Sequence, residues 1–201
     1  MSEELEKARE VVRLLEEKEK QNKVELFNLH EGETFFIGDI EFIVLREVSD
    51  GKLFVITKGF VAENEEFGNS RDYRTSNVRN ILENEFLPKI ESEIGSENIV
   101  PTTAEFISVD MQRKFDDLDN CKVRLLTFDE TREYNRLLVS KDIWDWWWTC
   151  TPWSREELGW DKSIAVVSPS GDLNFGSYFS NFGVRPVLYL KSNIFVSRGE
   201  K

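Results

Sequence analysis

Two cysteines, Cys121 and Cys150, and one histidine, His30, are all the thiol and imidazole metal ligands that this 201-residue chain contains. They are too few for a structural zinc site and do not make a disulfide framework, so both thiols are expected to be free. His30 has no nucleophile beside it in sequence, and no glycine-rich phosphate loop occurs. Neither a Ser–His–Asp or Cys–His centre nor a nucleotide loop therefore has support. The acidic stretch Asp116–Asn120 lacks the spacing and glycine of an EF-hand loop. No catalytic residue, metal or cofactor is assigned from the sequence. Long apolar runs are missing too, and charge begins at the third residue, which predicts neither a membrane span nor a signal peptide. These absences imply synthesis in a cytoplasm, as a resident protein or as a component of a virion.

Positive charge is also scarce. The chain has 26 Lys and Arg against 38 Asp and Glu, a net charge of −12. Nucleic-acid binding needs cations that displace counterions, so direct contact with nucleic acid is disfavoured. An anionic membrane would repel the chain for the same reason. A basic partner protein, including one that itself binds DNA, remains compatible with this charge.

Aromatic residues are abundant, with 15 Phe and 6 Trp. Five of the tryptophans fall within Trp144–Trp153. Side chains alternate along a strand, so these rings cannot all face one buried layer. Some should pin a core while others lie at the surface. A second aromatic segment, Phe175–Gly183, interleaves rings with Gly, Ser and Asn, the chemistry of rigid anchors beside adaptable hydrogen-bonding groups. Phe175, Tyr178 and Phe179, with Asn174 and Asn181, are the candidate recognition residues here. Trp160 and Asp161 lie in a nearby polar stretch and are assigned to the same face. This segment is expected to be a loop outside the core.

Two units are predicted. Residues 1–25 hold a helix over 2–23, in which Leu5, Ala8, Val12 and Leu15 follow the 3-4-3 spacing of a coiled-coil seam. A homo-oligomerisation helix, a helix docked on its own domain and a free solvated helix all fit that pattern. Residues 26–201 read as an α+β domain. Strands are expected at 35–37, 40–45, 53–57, 106–109, 123–126, 164–167, 173–175 and 184–190. A hairpin turn is expected at Ser49–Lys52, because Asp-Gly tolerates positive φ. A loop is read over 63–74 and another over 116–120. A helix is predicted over 76–94, stopped or kinked by Pro88. Thr127 and Glu130 have the spacing of a capping box that opens a helix to about Leu137.

The run Trp147-Trp148-Thr149-Cys150-Thr151-Pro152, a hairpin with Ser170-Gly171-Asp172, and Gly183-Val184-Arg185-Pro186-Val187-Leu188 resemble a bacterial and phage domain family of unknown function. That family carries a Trp-Trp-x-Arg-Ser-Pro motif followed by Gly-Val-Arg-Pro-Ala-Leu. Residues 42–58 and 75–86 resemble its opening hairpin and its helix, and the likeness spans about residues 32–191. The resemblance implies a C-type-lectin-like fold of the formylglycine-generating-enzyme kind: short mixed and antiparallel sheets with two helices. It implies that Arg185 and the tryptophan motif are scaffold and that the segment before Gly183 is a display surface. The chain departs from the family at Cys150, where arginine is usual. Cys121 and Cys150 do not match a catalytic cysteine pair, and the Glu-Pro-Asn and Gln-Pro-Asp motifs of calcium lectins are absent. The leading expectation is a non-catalytic, phage-associated module that binds a protein or glycan. The rival is an acidic cytoplasmic inhibitor of a basic, nucleic-acid-binding protein.

Overall fold

The structure, a computed structural model, describes residues 3–48 and 50–198, with side chains for all of these except 3–4 and 15–21. Ser49 and the Leu15 side chain of the proposed seam lie outside the described residues. In chain order the elements begin with α1 (Glu3–Asn22), β1 (Lys23–Glu25), β2 (Thr34–Ile37), β3 (Ile40–Val48), β4 (Lys52–Thr57) and β5 (Ala62–Glu66). Then come α2 (Asn77–Ile81), α3 (Leu87–Ile94), β6 (Thr102–Ala104), β7 (Leu118–Cys121), β8 (Val123–Leu125), α4 (Phe128–Glu133) and α5 (Asn135–Leu138). The chain closes with β9 (Trp147–Pro152), β10 (Ser163–Val167), β11 (Leu173–Ser177), β12 (Asn181–Val184), β13 (Pro186–Lys191) and β14 (Phe195–Arg198).

An antiparallel sheet of order β1-β14-β2-β3-β4-β13-β8 forms one layer. A five-stranded sheet, β11-β10-β9-β12-β5, is antiparallel except where β12 runs parallel to β9. β6 and β7 make a separate pair. The architecture is therefore α+β, with an N-terminal helix ahead of the sheets. Among the described residues, no helix is long and apolar enough to cross a membrane.

The large sheet is covered on both faces, which explains why β4 reads as an unbroken apolar run. Leu53 and Val55 face one core cluster, with Val78, Leu82, Phe86 and Ile90 of the helical layer. Phe54 and Ile56 face the other, with Leu126, Leu138 and Val187. The β3–β4 turn has Asp50 and Gly51 at φ of 72° and 68°, the doubly positive geometry that Asp-Gly favours. The capping box at Thr127 is present with both of its hydrogen bonds.

Several local expectations need correction. At Phe86-Leu87, where Pro88 was expected to stop or kink the helix, the helix changes type and does not end. A π turn over Leu82–Phe86, in which the Leu87 N–H donates to the Leu82 carbonyl, joins α2 to α3. Pro88 thereby falls in the first turn of α3, where its missing N–H costs little. The polar stretch read as a loop contains β5, an edge strand whose exposed glutamates hide its backbone pairing with β12. The strand expected at 106–109 lies instead at β6. Phe106 is still buried, but on irregular backbone whose nearest ladder contact is a single bridge between Ile107 and Arg113. β7 occupies part of the expected acidic loop, and β14 was not foreseen.

Leu5, Ala8, Val11, Val12 and Leu14 of α1 are all exposed, so this part of the helix is not docked on the domain. At the other end of the chain, Arg185 sits between β12 and β13, where the chain passes from one sheet to the other. It is fully buried. Its Nε donates to the Thr57 carbonyl at 2.7 Å and its Nη1 to the Leu138 carbonyl at 2.8 Å. The guanidinium lies 5.4 Å from the Trp147 ring centroid. Burial pushes its pKa down to about 9, against the opposing pull of Asp142, so it stays cationic at neutral pH. Arg185→Met would keep much of the volume but leave both carbonyls unmatched. It is expected to cost about 1–3 kcal/mol, read as a lower thermal midpoint. An unchanged midpoint would show that the anchor is dispensable.

Candidate recognition surface

β9 sorts the tryptophans by strand parity. Trp147 and Trp148 are both fully buried, but as neighbours they enter opposite clusters, Trp147 beneath the large sheet with Phe54 and Trp148 with Phe42. The Trp148 Nε1 donates to the Glu65 carbonyl at 2.8 Å, tying β9 to the edge strand β5. Trp144 is exposed against Phe60, with ring centroids 6.0 Å apart, while Trp146 and Trp153 are half-buried. Gly183 permits this packing, because a Cβ there would meet the Phe60 ring at 2.5 Å.

Past β9 the chain forms the surface aromatic group. The Trp153 N–H donates to the Ser163 carbonyl, bringing Trp153 beside the start of β10. A 3-10 turn at Glu156–Leu158 ends at Gly159, φ 80°, and delivers Trp160. β10 pairs with β11 so that Phe175 stands opposite Ala165 on the edge strand. Phe175 is 40% exposed and meets Trp160 at 4.5 Å and Trp153 at 5.2 Å between centroids. Trp153 in turn meets Phe128 at 6.1 Å, edge to face. Phe128, Trp153, Phe175 and Trp160 thus form one continuous row, with exposed Leu158 nearby in sequence. Asp161 and Asn174 are exposed beside this row in sequence, and the Asn174 Oδ1 accepts from the Phe175 N–H.

The other candidates do not join it. Tyr178 and Phe179 pair with each other at 4.4 Å, and among the described residues no ring contact links them to the row. The segment 175–182 is not a free loop. It is the end of β11, a turn, and the start of β12. The Tyr178 N–H donates to the Lys162 carbonyl, its carbonyl accepts from Gly68, and its ring packs on the core. Tyr178 is therefore part of the scaffold, contrary to the sequence reading. Phe179 is 51% exposed, and Asn181 is exposed opposite Glu66 of β5. Sequence reasoning omitted Phe128 and did not connect Trp153 to the candidate face. Trp153 had a signal in the tryptophan run, but Phe128 reaches the row only through the tertiary placement of α4.

Both cysteines are free and buried. Burial pushes the Cys150 thiol up to about 12 and raises Cys121 as well, so neither supplies a thiolate at neutral pH. Among the described residues, no group of three or more His, Cys, Asp or Glu is placed to hold a metal ion. No family model matches the chain, and neither a curated protein nor a solved structure gives a significant match.

The division of the aromatics predicts a split in stability. Phe175→Ala and Phe179→Ala remove rings about half exposed to solvent and should each cost about 1 kcal/mol or less, whereas Tyr178→Ala, whose ring packs on the core, should cost about 1–2 kcal/mol of buried area. Thermal or urea melts of the three variants check this. A Phe175→Ala variant as unstable as Tyr178→Ala would mean that the row is structural.

Proposed function

We propose that the chain is a non-catalytic recognition module of C-type-lectin-like architecture that binds a protein or glycan through the aromatic row on its β10–β11 edge. The observation that carries this reading is the row itself: four aromatic rings in contact, one of which, Phe175, stands exposed on an edge strand. Aromatics in such positions serve as binding anchors because they bring large area at little entropic cost. The resemblance of the Trp147–Pro152 and Gly183–Leu188 segments to a bacterial and phage family supports the lectin-like assignment and a phage association. Relative to the sequence reading, the binding face moves toward Trp153, Trp160 and Phe175 and away from Tyr178.

The test is affinity for partners recovered from bacterial lysate and for an arrayed glycan panel. Trp160→Ala and Phe175→Ala should each weaken the best binder by roughly 2 kcal/mol, about 30-fold. Binding should survive 0.5 M salt. A second reading rests on β5, an edge strand with Glu63 and Glu66 exposed and Glu65 half-buried. An acidic inhibitor of a basic protein would use that row. Its binding would collapse with salt and with neutralisation of those glutamates, yet ignore both aromatic substitutions.

The undocked α1 supports self-association through residues 2–23. Its exposed Leu5, Ala8 and Val12 share one helix face at seam spacing, and an isolated helix of this length is marginal in water. Light scattering should give the full chain a multiple of the monomer mass, and a version starting at Lys23 the monomer mass. Equal monomer masses would remove the oligomer.

A further inference from the structure

We propose that the cavity between the Ser154–Glu157 segment and the 106–115 segment binds a phosphate monoester with a flat apolar substituent. In the free protein, Glu156 would occupy its anion subsite. The proposal is independent of the aromatic row, whose rings do not line this cavity.

The cavity is about 320 Å³, near the lower bound for small-molecule sites. Arg71, Arg113, Lys114 and Arg155 line it, against Glu156 and Glu157. Four cations to two carboxylates on the wall is the reverse of the balance in a chain of net charge −12, with Glu105, Asp110 and Asp117 pairing the rim cations just outside it. Phe106, Phe115 and Pro152 supply an apolar part of the wall.

Arg71 is the anchor. Its side chain is only 3% exposed, and its Nη1 donates to the Ser154 carbonyl, which fixes the guanidinium at the cavity wall. The carboxylate nearest its other end is Glu156, at 3.4 Å from Nη2. The same Glu156 oxygen, Oε1, also accepts from the Lys114 Nζ. One carboxylate oxygen is thus shared by a buried guanidinium and an ammonium. The rim cations have other partners, Arg113 with Glu105 and Asp117 and Arg155 with Asp110.

Glu156 is held loosely by comparison. Its side chain is 53% exposed and that of Lys114 is 46% exposed, and ion pairs so open to water are weak. Lys114 and then Arg71 hold its carboxyl below the usual range, which shows both cations acting on it. A monocarboxylate ligand would merely replace one carboxylate by another. A phosphate monoester carries close to two charges and three strong acceptor oxygens, enough to meet Arg71 and Lys114 separately. Its substituent would then lie against Phe115 and Pro152.

The experiment is calorimetric titration of the full chain with phenyl phosphate, inorganic phosphate and benzoate. Phenyl phosphate should bind more tightly than either control by tenfold or more. Lys114→Gln should weaken it by at least fivefold. Glu156→Gln should tighten it by a similar factor, because the internal competitor is gone. A wild type that binds too weakly to measure, beside a Glu156→Gln variant that binds, would support the same conclusion. The proposal is overturned if neither protein binds phenyl phosphate, if Glu156→Gln fails to tighten it, if Lys114→Gln has no effect, or if either control binds equally well. Both substitutions fall on exposed side chains. Should Glu156→Gln fail to fold, the comparison of wild type with Lys114→Gln and the two controls decides.

Discussion

Arg185 lies where the chain leaves β12 of the five-stranded sheet and enters β13 of the seven-stranded one, with its guanidinium shut away from solvent. Removing a cation from water costs several kcal/mol unless fixed dipoles replace the water. Here the replacements are the Thr57 carbonyl at the end of β4, the Leu138 carbonyl at the end of α5, and the face of Trp147 at the start of β9. One side chain therefore joins the large sheet, the short helices and the small sheet. The surface features follow from it. Trp147 sets where β9 begins, β9 carries β10, and β10 carries the edge strand that presents Phe175. A bland apolar residue would fill the same space but could not fix two backbone segments by directional hydrogen bonds and a ring by its charge.

What could be read from the sequence was what is encoded locally. Asp50-Gly51 specifies its turn because both residues tolerate positive φ. Thr127 and Glu130 cap a helix through bonds that span three residues. The hairpin between β10 and β11 was legible from apolar runs flanking Ser168–Asp172. The missed strands, among them β1, β5, β6, β7, β12 and β14, are short, and β1, β5, β12 and β14 pair with segments distant in sequence. β5 pairs with β12, more than a hundred residues away, and after Ala62 it consists of Glu and Asn alone. Edge strands are protected by such polar side chains, so the pattern that prevents aggregation also hides the strand. Pro88 gave the place of the break in the helix but not its form. The π turn that absorbs it has no local signature in Leu82–Phe86.

The candidate surface was half legible for the same reason. Parity along β9 follows from strand geometry alone, so the sequence could show that Trp147 and Trp148 must face apart. It could not show that both sides were buried, because that depends on layers contributed by other segments. Phe175 and Tyr178 look alike in sequence: each is an aromatic among small polar residues. They differ because Gly68 and Lys162 bond the backbone at Tyr178 and draw its ring onto the core, while Phe175 lies on a sheet edge. Such contacts join residues that no periodicity connects.

Three arginines are buried among the described residues, and their compensation differs in kind. Arg185 relies on carbonyl dipoles and a ring, none of which can leave without moving the backbone. Arg124 forms a two-pronged pair with Glu130, both bonds 2.6 Å, and Glu130 is itself committed to the capping box of α4. Breaking that pair would strand two charges and open a helix end. Arg71 has one fixed partner, the Ser154 carbonyl, and one partner on a half-exposed side chain that can swing into water. Of the three, only Arg71 can change its counterion while the fold stays intact. A chain so rich in carboxylates had every means to bury a second acid beside Arg71, as it did beside Arg124. That it leaves this guanidinium facing a cavity, with an exchangeable glutamate, is the arrangement expected of a site and not of a staple.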